Sequence, residues 1–282
     1  MAEHSKAVLI TGCSSGIGRA TAERLAKEGW KVYATARRPD SIADLADAGC
    51  ELLALDVTDE QSMQSAVDKV VRAEGAVGVL INNAGYSQSG AVESVPLEAV
   101  RRQFDTNVFG LIRMCQLVLP GMREQHWGKI VNMGSMGGKL TFPGGGLYHA
   151  TKYAIEAISD ALRFEVRGFG VDVILVEPGF ITTEFAGTAA ASVGDSEEEH
   201  PYANFNRHVA SFTESAYRGP LRLLGGGPES VAGTIAGALK SGRPKPRYPV
   251  TLSAHLLMNQ RRFMPDQLWD LLMRTQYPTP KE

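Results

Sequence analysis

The first half of this chain alternates short apolar segments with helical patterns, and this alternation limits the fold more than any other feature. Residues 18–28 place Ala22, Leu25 and Ala26 on one face of a helix. The apolar segments lack the polar alternation of a half-exposed strand, so both of their faces should be buried. The pattern predicts an α/β protein, a doubly wound parallel sheet with helices on both faces. The predicted strands are residues 7–10, 31–35, 51–55, 77–81, 130–133 and 171–176.

The composition is that of a globular protein and excludes several other classes. The chain has 282 residues, 44% of them hydrophobic and 21% charged, with a net charge of −2. These values exclude a disordered or fibrous chain and leave no basic field for nucleic acid. Cys13, Cys50 and Cys115 are too scattered for a disulfide framework or a zinc site, so we expect no metal. No apolar segment approaches the roughly 20 residues of a membrane span, and we expect a cytoplasmic protein.

The regular pattern ends after residue 179. We assign residues 1–250 to one domain with a mobile substrate loop at about 183–225, and residues 251–282 to a helical extension of that domain. Residues 186–204 are rich in alanine, glycine, serine and acidic residues, and a solvated insertion without a role is the alternative. Such a composition buries little apolar surface in either case.

The last part of the chain regains a structured pattern. We predict a helix over residues 228–240 and an edge strand over residues 247–250, whose prolines exclude a central position. The tail should form two short helices that are separated at Pro265.

A glycine-rich turn, TGCSSGIG, follows the first predicted strand and precedes the first helix. Glycine lets the backbone approach a phosphate closely, and a helix N-terminus offers free N–H groups and a positive dipole end. Its G-x-x-x-G-x-G spacing differs from the G-x-G-x-x-G fingerprint, but its position between strand and helix favours dinucleotide binding. The residues that we assign to this site are Gly12, Ser14, Ser15, Gly16, Ile17 and Gly18.

Arg37 and Arg38 follow the second strand, where an NAD-selective site places an acidic residue. Guanidinium groups suit a ribose 2′-phosphate, so we expect NADP(H) rather than NAD(H) as the cofactor. Alternatively, one or both arginines are solvated surface residues.

Tyr148 and Lys152 are four residues apart and share a face if they lie on a helix. A nearby cation favours phenolate, which moves the pKa of a tyrosine toward the range of a general acid–base. The spacing by itself is weak support, since Tyr277 and Lys281 repeat it across two prolines that exclude a helix. His149 should point away from the Tyr148–Lys152 face.

Three further features strengthen this interpretation. Asn82-Asn83-Ala84-Gly85 follows the fourth strand, Asn107 lies in a helical segment, and Ser135 follows the fifth strand. With these motifs in order, residues 5–250 resemble the short-chain dehydrogenase/reductase family, in its subgroup of about 250 residues with a TGxxxGxG turn. The resemblance implies a Rossmann-type fold and an NADP(H)-dependent oxidoreductase that interconverts a secondary alcohol and a ketone.

The resemblance also implies a role for each catalytic residue. Tyr148 would exchange a proton with the substrate oxygen while hydride passes between carbon and nicotinamide C4. Ser135 would polarise that oxygen, Lys152 would lower the tyrosine pKa and bind the nicotinamide ribose, and Asn107 would hold a water that links Lys152 to solvent. The cofactor contacts implied in the same way are Asp56, Val57, Asn83, Ala84, Gly85, Tyr148, Lys152, Pro178, Gly179, Ile181 and Thr183.

The residues around the catalytic motifs are mostly apolar, which suits a bulky hydrophobic substrate. Alternatively, they belong to the core. The turn, residues 34–37 and the long tail are similar to the hydroxysteroid and retinol dehydrogenase branch, which implies a steroid-like or retinoid-sized substrate. The resemblance to the family implies a homodimer or homotetramer. A 3-oxoacyl reductase and a non-catalytic NADP(H)-sensing regulator are the alternatives. The residues that we assign to the substrate are Ser135, Met136, Phe142, Leu147, Tyr148, Phe180 and Phe185.

Overall fold

Seven strands pair in parallel in a computed structural model that describes residues 4–193, 200–218 and 223–280. Their order across the sheet is β3-β2-β1-β4-β5-β6-β7. The order reverses direction between β1 and β4, as the doubly wound prediction requires. The strands are β1 (Val8–Ile10), β2 (Val32–Ala36), β3 (Glu51–Ala54), β4 (Val79–Asn82), β5 (Gly128–Met133), β6 (Val171–Pro178) and β7 (Arg247–Val250).

Helices cover both faces of this sheet and build a separate core on each. In β1, Val8 and Ile10 face the core beneath α1 and α8, while Leu9 faces the core beneath α2, α4 and α5. The central strands are therefore apolar on both faces, which confirms the prediction from their uninterrupted apolar segments. The helices in the described ranges are α1 (Gly16–Lys27), α2 (Glu60–Glu74), α3 (Leu97–Phe104), α4 (Gly110–Glu124), α5 (Gly146–Val166), α6 (Phe185–Ala191), α7 (Ala203–Arg218), α8 (Pro228–Lys240), α9 (Leu252–Phe263) and α10 (Asp266–Gln276).

Both predicted features near the C-terminus are present. Strand β7 pairs with β6 at one edge of the sheet, and its Pro249 lies opposite Glu177. Helices α9 and α10 are separated at Pro265, which precedes the first residue of α10. Trp269 and Met273 of α10 pack with Leu140 and Val209 in a small core of their own. The tail thus lies against the segments that surround the carboxyl edge of the sheet.

The region predicted as a substrate loop, residues 183–225, is largely helical where it is described. Helix α6 occupies residues predicted as irregular, because its alanines and threonine are compatible with a helix that packs on α7. Residues 194–199 and 219–222 of the same region lie outside the described residues. The mobility of the loop stays a prediction.

Gly18 provides a test of how tightly the first turn packs against its neighbours. A Cβ atom at Gly18 would overlap the Gly12 carbonyl and the Asn83 amide, although alanine favours helices. We expect Gly18→Ala to lower the free energy of unfolding by about 1–3 kcal/mol through overpacking. Chemical denaturation measures this change.

The matched control is Gly237→Ala in α8. Gly237 is exposed, and a Cβ atom there would meet nothing within 4 Å. Alanine at this position should raise the free energy of unfolding by about 0.5–1 kcal/mol. A Gly18→Ala variant as stable as this control would contradict the close packing of the turn.

Candidate active site

The glycine-rich turn leaves β1 and enters α1 through two left-handed backbone positions. Gly12 has φ +74° and Gly16 has φ +56°, a region that side-chain-bearing residues rarely adopt. Ser15 precedes α1 without a side-chain cap, and the first turn of α1 carries no acidic residue. The first N–H groups of the helix therefore face no competing side-chain acceptor, which suits a phosphate group.

Asn83 joins this turn to the end of β4. Its side-chain amide donates to the carbonyls of Thr11 and Gly12, at 3.0 and 2.9 Å. In return, the Thr11 hydroxyl accepts the backbone N–H groups of Asn83 and Ala84, each at 3.0 Å. These bonds cross the point where strand order reverses, which is where open α/β sheets bind their ligands.

The two arginines after β2 differ in position. Both are exposed, but Arg37 lines the cleft at the carboxyl edge of the sheet and Arg38 does not. Neither has an ion-pair partner within 4.0 Å among the residues that the structure describes. Arg37 thus leaves its guanidinium available to an anion bound in the cleft.

Ser135 begins a short 3-10 turn, Met136–Gly138, directly after β5. Its hydroxyl oxygen accepts the backbone N–H of Gly137 at 3.0 Å. A serine hydroxyl can accept and donate at once, so this contact orients the oxygen and leaves its hydrogen for another acceptor.

Tyr148 and Lys152 lie one turn apart on α5, and both line the cleft beside Ser135. The Lys152 ammonium is 5.6 Å from the centre of the Tyr148 ring. Lys152 is 7% exposed, and its burial lowers its pKa from 10.5 to about 8. A buried cation close to a phenol favours the phenolate form, as general acid–base work requires.

Two hydrogen bonds from α5 secure the backbone on either side of Ser135. Lys152 donates to the Met133 carbonyl at 2.7 Å, and His149 Nδ1 lies 2.9 Å from the Gly137 carbonyl. Because His149 Nε2 accepts the backbone N–H of Phe142 at 3.4 Å, Nδ1 must carry the proton. Burial lowers the pKa of His149 to about 4, which keeps this neutral tautomer. His149 therefore supports the serine turn as well as lining the cleft.

Asn107 lies in a π-helical segment, Asp105–Phe109, between α3 and α4. Its amide nitrogen donates to the Tyr86 carbonyl at 2.8 Å and to the Thr151 hydroxyl at 3.1 Å. Its oxygen accepts the Tyr86 N–H at 3.0 Å. Both amide hydrogens are thus used within the protein, and a water could contact only the side-chain oxygen or the main chain of Asn107.

The cleft has a volume of about 1090 Å³ and gathers most of the predicted site residues. Gly18, Arg38, Asn107 and Leu147 are the exceptions, since none of them lines it. Gly18 and Asn107 lie directly behind the lining, whereas Leu147 precedes Tyr148 on another face of α5. The predicted residues that do line the cleft are Gly12, Ser14, Ser15, Gly16, Ile17, Arg37, Asp56, Val57, Asn83, Ala84, Gly85, Ser135, Met136, Phe142, Tyr148, Lys152, Pro178, Gly179, Phe180, Ile181, Thr183 and Phe185.

Several lining residues were not predicted from the sequence. Val209 and Phe212 of α7 and Tyr277 after α10 form one apolar part of the wall. The apolar spacing of α7 indicates a buried helix face, but it does not specify what that face covers. The cleft is therefore partly built by segments more than 50 residues downstream of the catalytic motifs.

The amino-acid sequence of this chain is similar to those of known proteins. The sequence model of the family described as short chain dehydrogenase matches residues 6–193. The uncharacterized oxidoreductase YbbO of Escherichia coli K12 is 35% identical over 270 residues, 95% of this chain and 94% of that protein. The 3-ketodihydrosphingosine reductase of Bacteroides thetaiotaomicron is 35% identical over 272 residues, with 96% and 97% covered.

Solved structures show the same similarity. A short-chain dehydrogenase from Streptomyces avermitilis has a TM-score of 0.77 and 34% identity, with 97% of this chain and 99% of that chain covered. A serine dehydrogenase complexed with NADP+ has a TM-score of 0.73 and 26% identity, with 86% and 93% covered. A Burkholderia phymatum short-chain dehydrogenase in complex with NAD has a TM-score of 0.77 and 26% identity, with 99% and 97% covered.

No helix in the described ranges is long and apolar enough to cross a membrane.

Two buried carboxyl groups lie behind the catalytic face of α5. Glu156 follows Lys152 by one turn, and Glu177 is the penultimate residue of β6; they are 5% and 0% exposed. Lys139 and Arg247 reach the Glu156 carboxylate at 2.6 and 3.0 Å. Neither Glu177 oxygen accepts a hydrogen bond from any residue that the structure describes, and the Arg247 side chain is 3.9 Å away.

Burial, followed by the proximity of Glu156, raises the pKa of Glu177 from 4.5 to about 8. Glu177 therefore keeps its proton up to about pH 8 in the folded protein but loses it near pH 4.5 in the unfolded chain. Because the folded protein binds more protons in this range, its free energy of unfolding should fall as the pH rises from about 5 to 8. We expect Glu177→Gln, which does not titrate, to become progressively more stable than the wild type over this range. Urea denaturation at several pH values measures the difference.

The matched control is Glu165→Gln, which replaces an exposed carboxyl group on the same helix as Glu156. Because this side chain is exposed, the substitution should change the free energy of unfolding by no more than about 0.5 kcal/mol. A Glu177→Gln variant that is less stable than the wild type at pH 8 would mean that Glu177 is ionised and paired with Arg247.

Proposed function

The chain belongs to the short-chain dehydrogenase family and is an oxidoreductase of that type, and we propose that it interconverts a secondary alcohol and a ketone on a hydrophobic substrate with NADP(H). The nicotinamide, when bound, would supply or accept the hydride. One observation carries the proposal. Ser135, Tyr148 and Lys152 line a single cleft, with the Lys152 ammonium 5.6 Å from the Tyr148 ring.

Tyr148 and Ser135 act on the substrate oxygen in this proposal. During reduction the Tyr148 hydroxyl donates its proton to that oxygen, and during oxidation the phenolate removes it. The Ser135 hydroxyl is oriented by the Gly137 N–H and donates a hydrogen bond to the same oxygen. That hydrogen bond stabilises the negative charge that develops on the oxygen in the transition state.

Lys152 lowers the pKa of Tyr148 toward the range in which the phenol can act as a general acid and base. Its ammonium favours the phenolate by charge, and its own pKa of about 8 lets it exchange protons near neutral pH. We propose that Asn107 holds the water that links Lys152 to solvent. Both amide hydrogens of Asn107 are already donated, so its side-chain oxygen or its main-chain carbonyl would accept from that water. The same amide positions Tyr86, which lines the cleft.

The preference for NADP(H) rests on Arg37. Its guanidinium lines the cleft at the end of β2, free of ion pairs among the described residues, where a ribose 2′-phosphate would find a planar donor. The glycine turn and the N-terminus of α1 would hold the pyrophosphate. The solved relatives include complexes with NADP+ and with NAD, so the choice depends on this chain's own residues.

The wall beside the catalytic residues favours a hydrophobic substrate. Phe142, Phe185, Val209 and Phe212 line it, and the Phe185 ring lies 5.4 Å from the Tyr148 ring. A steroid-like ketone fits this chemistry. The name of the Bacteroides thetaiotaomicron relative, a 3-ketodihydrosphingosine reductase, supports reduction of a keto group in such a cleft.

We also propose a homodimer or homotetramer. Tyr153 and Phe164 on α5 and Phe109 before α4 are 44%, 85% and 57% exposed, and exposed aromatic groups on adjacent helices favour association.

Tyr148→Phe tests the catalytic role directly. The variant keeps the ring and loses only the hydroxyl, so NADPH binding should be unchanged while turnover falls about 10²- to 10⁴-fold. Fluorescence titration measures NADPH binding, and NADPH consumption with bulky ketones measures turnover. A variant with wild-type turnover would overturn the mechanism, and a wild type that binds NADPH but reduces no ketone would favour the sensing regulator.

Arg37→Asp tests the cofactor preference. Loss of a charge-assisted hydrogen bond of about 1.5–3 kcal/mol should shift the ratio of NADPH to NADH efficiency roughly 10- to 100-fold toward NADH. Steady-state kinetics with both cofactors measures the shift. Arg38→Asp is the matched control and should leave the ratio unchanged, because Arg38 does not line the cleft. If Arg37→Asp leaves the ratio of NADPH to NADH efficiency unchanged, residues other than Arg37 determine the cofactor preference.

A further inference from the structure

Tyr277 lies directly after α10 and forms part of the cleft wall. It is 8% exposed. Its ring lies 4.9 Å from the Phe212 ring and 5.6 Å from the His208 ring, both on α7. The extension beyond residue 250 therefore contributes a side chain to the cleft that contains Tyr148.

The position of Tyr277 is fixed by its own N–H group and by contacts of the residues that precede it in α10. His208 Nε2 lies 2.7 Å from the Gln276 carbonyl, and the Tyr277 N–H donates to the Met273 carbonyl at 2.9 Å. Met273 and Trp269 share a core with Tyr277, and the Trp269 indole donates to the Thr141 carbonyl at 3.3 Å. The ring is thus held rigidly against the segment that leads to Tyr148.

The hydroxyl of Tyr277 has no hydrogen-bond partner among the residues that the structure describes, although the ring is more than nine-tenths buried. The hydroxyl oxygen is not fully enclosed by the protein. Burial raises the pKa of Tyr277, so the group stays neutral and can both donate and accept. A buried polar group of this kind normally has a partner.

The neighbouring side chains do not supply that partner. Val209, Phe212 and Phe142 are apolar, and the Thr213 hydroxyl donates to the Val209 carbonyl at 2.7 Å and forms no hydrogen bond with Tyr277. Tyr277 therefore adds a phenol to a mostly apolar part of the cleft wall, on segments separate from the β5 turn and α5 that carry Ser135 and Tyr148. Because no described residue pairs with this phenol, a molecule bound in the cleft is the partner that we consider.

We propose that Tyr277 is a specificity-determining residue whose hydroxyl binds a second oxygen or nitrogen of the substrate, remote from the carbon that changes oxidation state. The inference rests on the proposed function and narrows it. The substrate is an apolar ketone or alcohol with another polar atom, such as a hydroxyl group, at a distance from the reacting centre. A ketone without that atom leaves the Tyr277 hydroxyl without a partner and should have a lower kcat/KM.

Tyr277→Phe tests this with two probes that differ in one group. The probes are a saturated androstane with a ring-D ketone and the same molecule with a ring-A hydroxyl. The wild type should prefer the hydroxylated probe in kcat/KM by roughly tenfold, the effect of one neutral hydrogen bond. The variant should lose that preference, and the loss should appear in KM. Tyr202→Phe is the control, because the half-buried Tyr202 donates to Glu93 and does not line the cleft.

Binding of both probes to the NADP+-loaded protein, measured by calorimetry, separates this inference from the proposed function. If the wild type binds the hydroxylated probe with a lower Kd and Tyr277→Phe abolishes this difference, the inference is supported. This holds even if neither probe is reduced, because absence of reduction would count against the proposed function only. Equal losses with both probes would show a structural role and overturn it. An unchanged preference in the variant, or no binding of either probe, would overturn it as well.

Discussion

The geometry of the site depends on how α5 is joined to the end of β5. Lys152 and His149 contact the carbonyls of Met133 and Gly137, two residues before and two residues after Ser135. The helix that carries Tyr148 is thereby tied to the turn that carries the serine. Both contacts come from buried side chains, so water does not compete for them. A hydroxyl, a phenol and an ammonium that are far apart in sequence become one rigid group.

The sheet supplies the second constraint. Parallel pairing brings the ends of β1 to β6 to one edge, and the loops that leave those strands carry most of the cleft lining. The Asn83 amide and the Thr11 hydroxyl join the loops at the strand-order reversal. The side of the cleft that we propose for the cofactor is therefore built from backbone held by the sheet. The side that we propose for the substrate is built from α6, α7 and the residue that follows α10.

These two sides differ in how well the sequence predicted them. The glycine turn, Asn83, Ser135, Tyr148 and Lys152 follow strands or occupy one helix face, so local pattern places them at the correct edge. On the substrate side, Leu147 was assigned to the cleft and does not line it, while Val209 and Phe212 were not assigned at all. Helix α6 was predicted as irregular because its composition indicates little burial, but packing on α7 stabilises the helix.

The sequence by itself determined the parallel α/β architecture and the order of the motifs, because both depend on periodicities within a few residues. Only the tertiary structure decided the burial of Glu177 and the position of Tyr277. Glu177 is an ordinary acidic residue until β6 buries it beside Glu156. Tyr277 and Lys281 have the same spacing as Tyr148 and Lys152, but the prolines between them exclude a helix, so the sequence predicts no role for Tyr277. Packing of its ring against Phe212 of α7 nevertheless brings Tyr277 into the cleft wall. Burial and long-range contact are properties of the whole chain, and no local pattern encodes them.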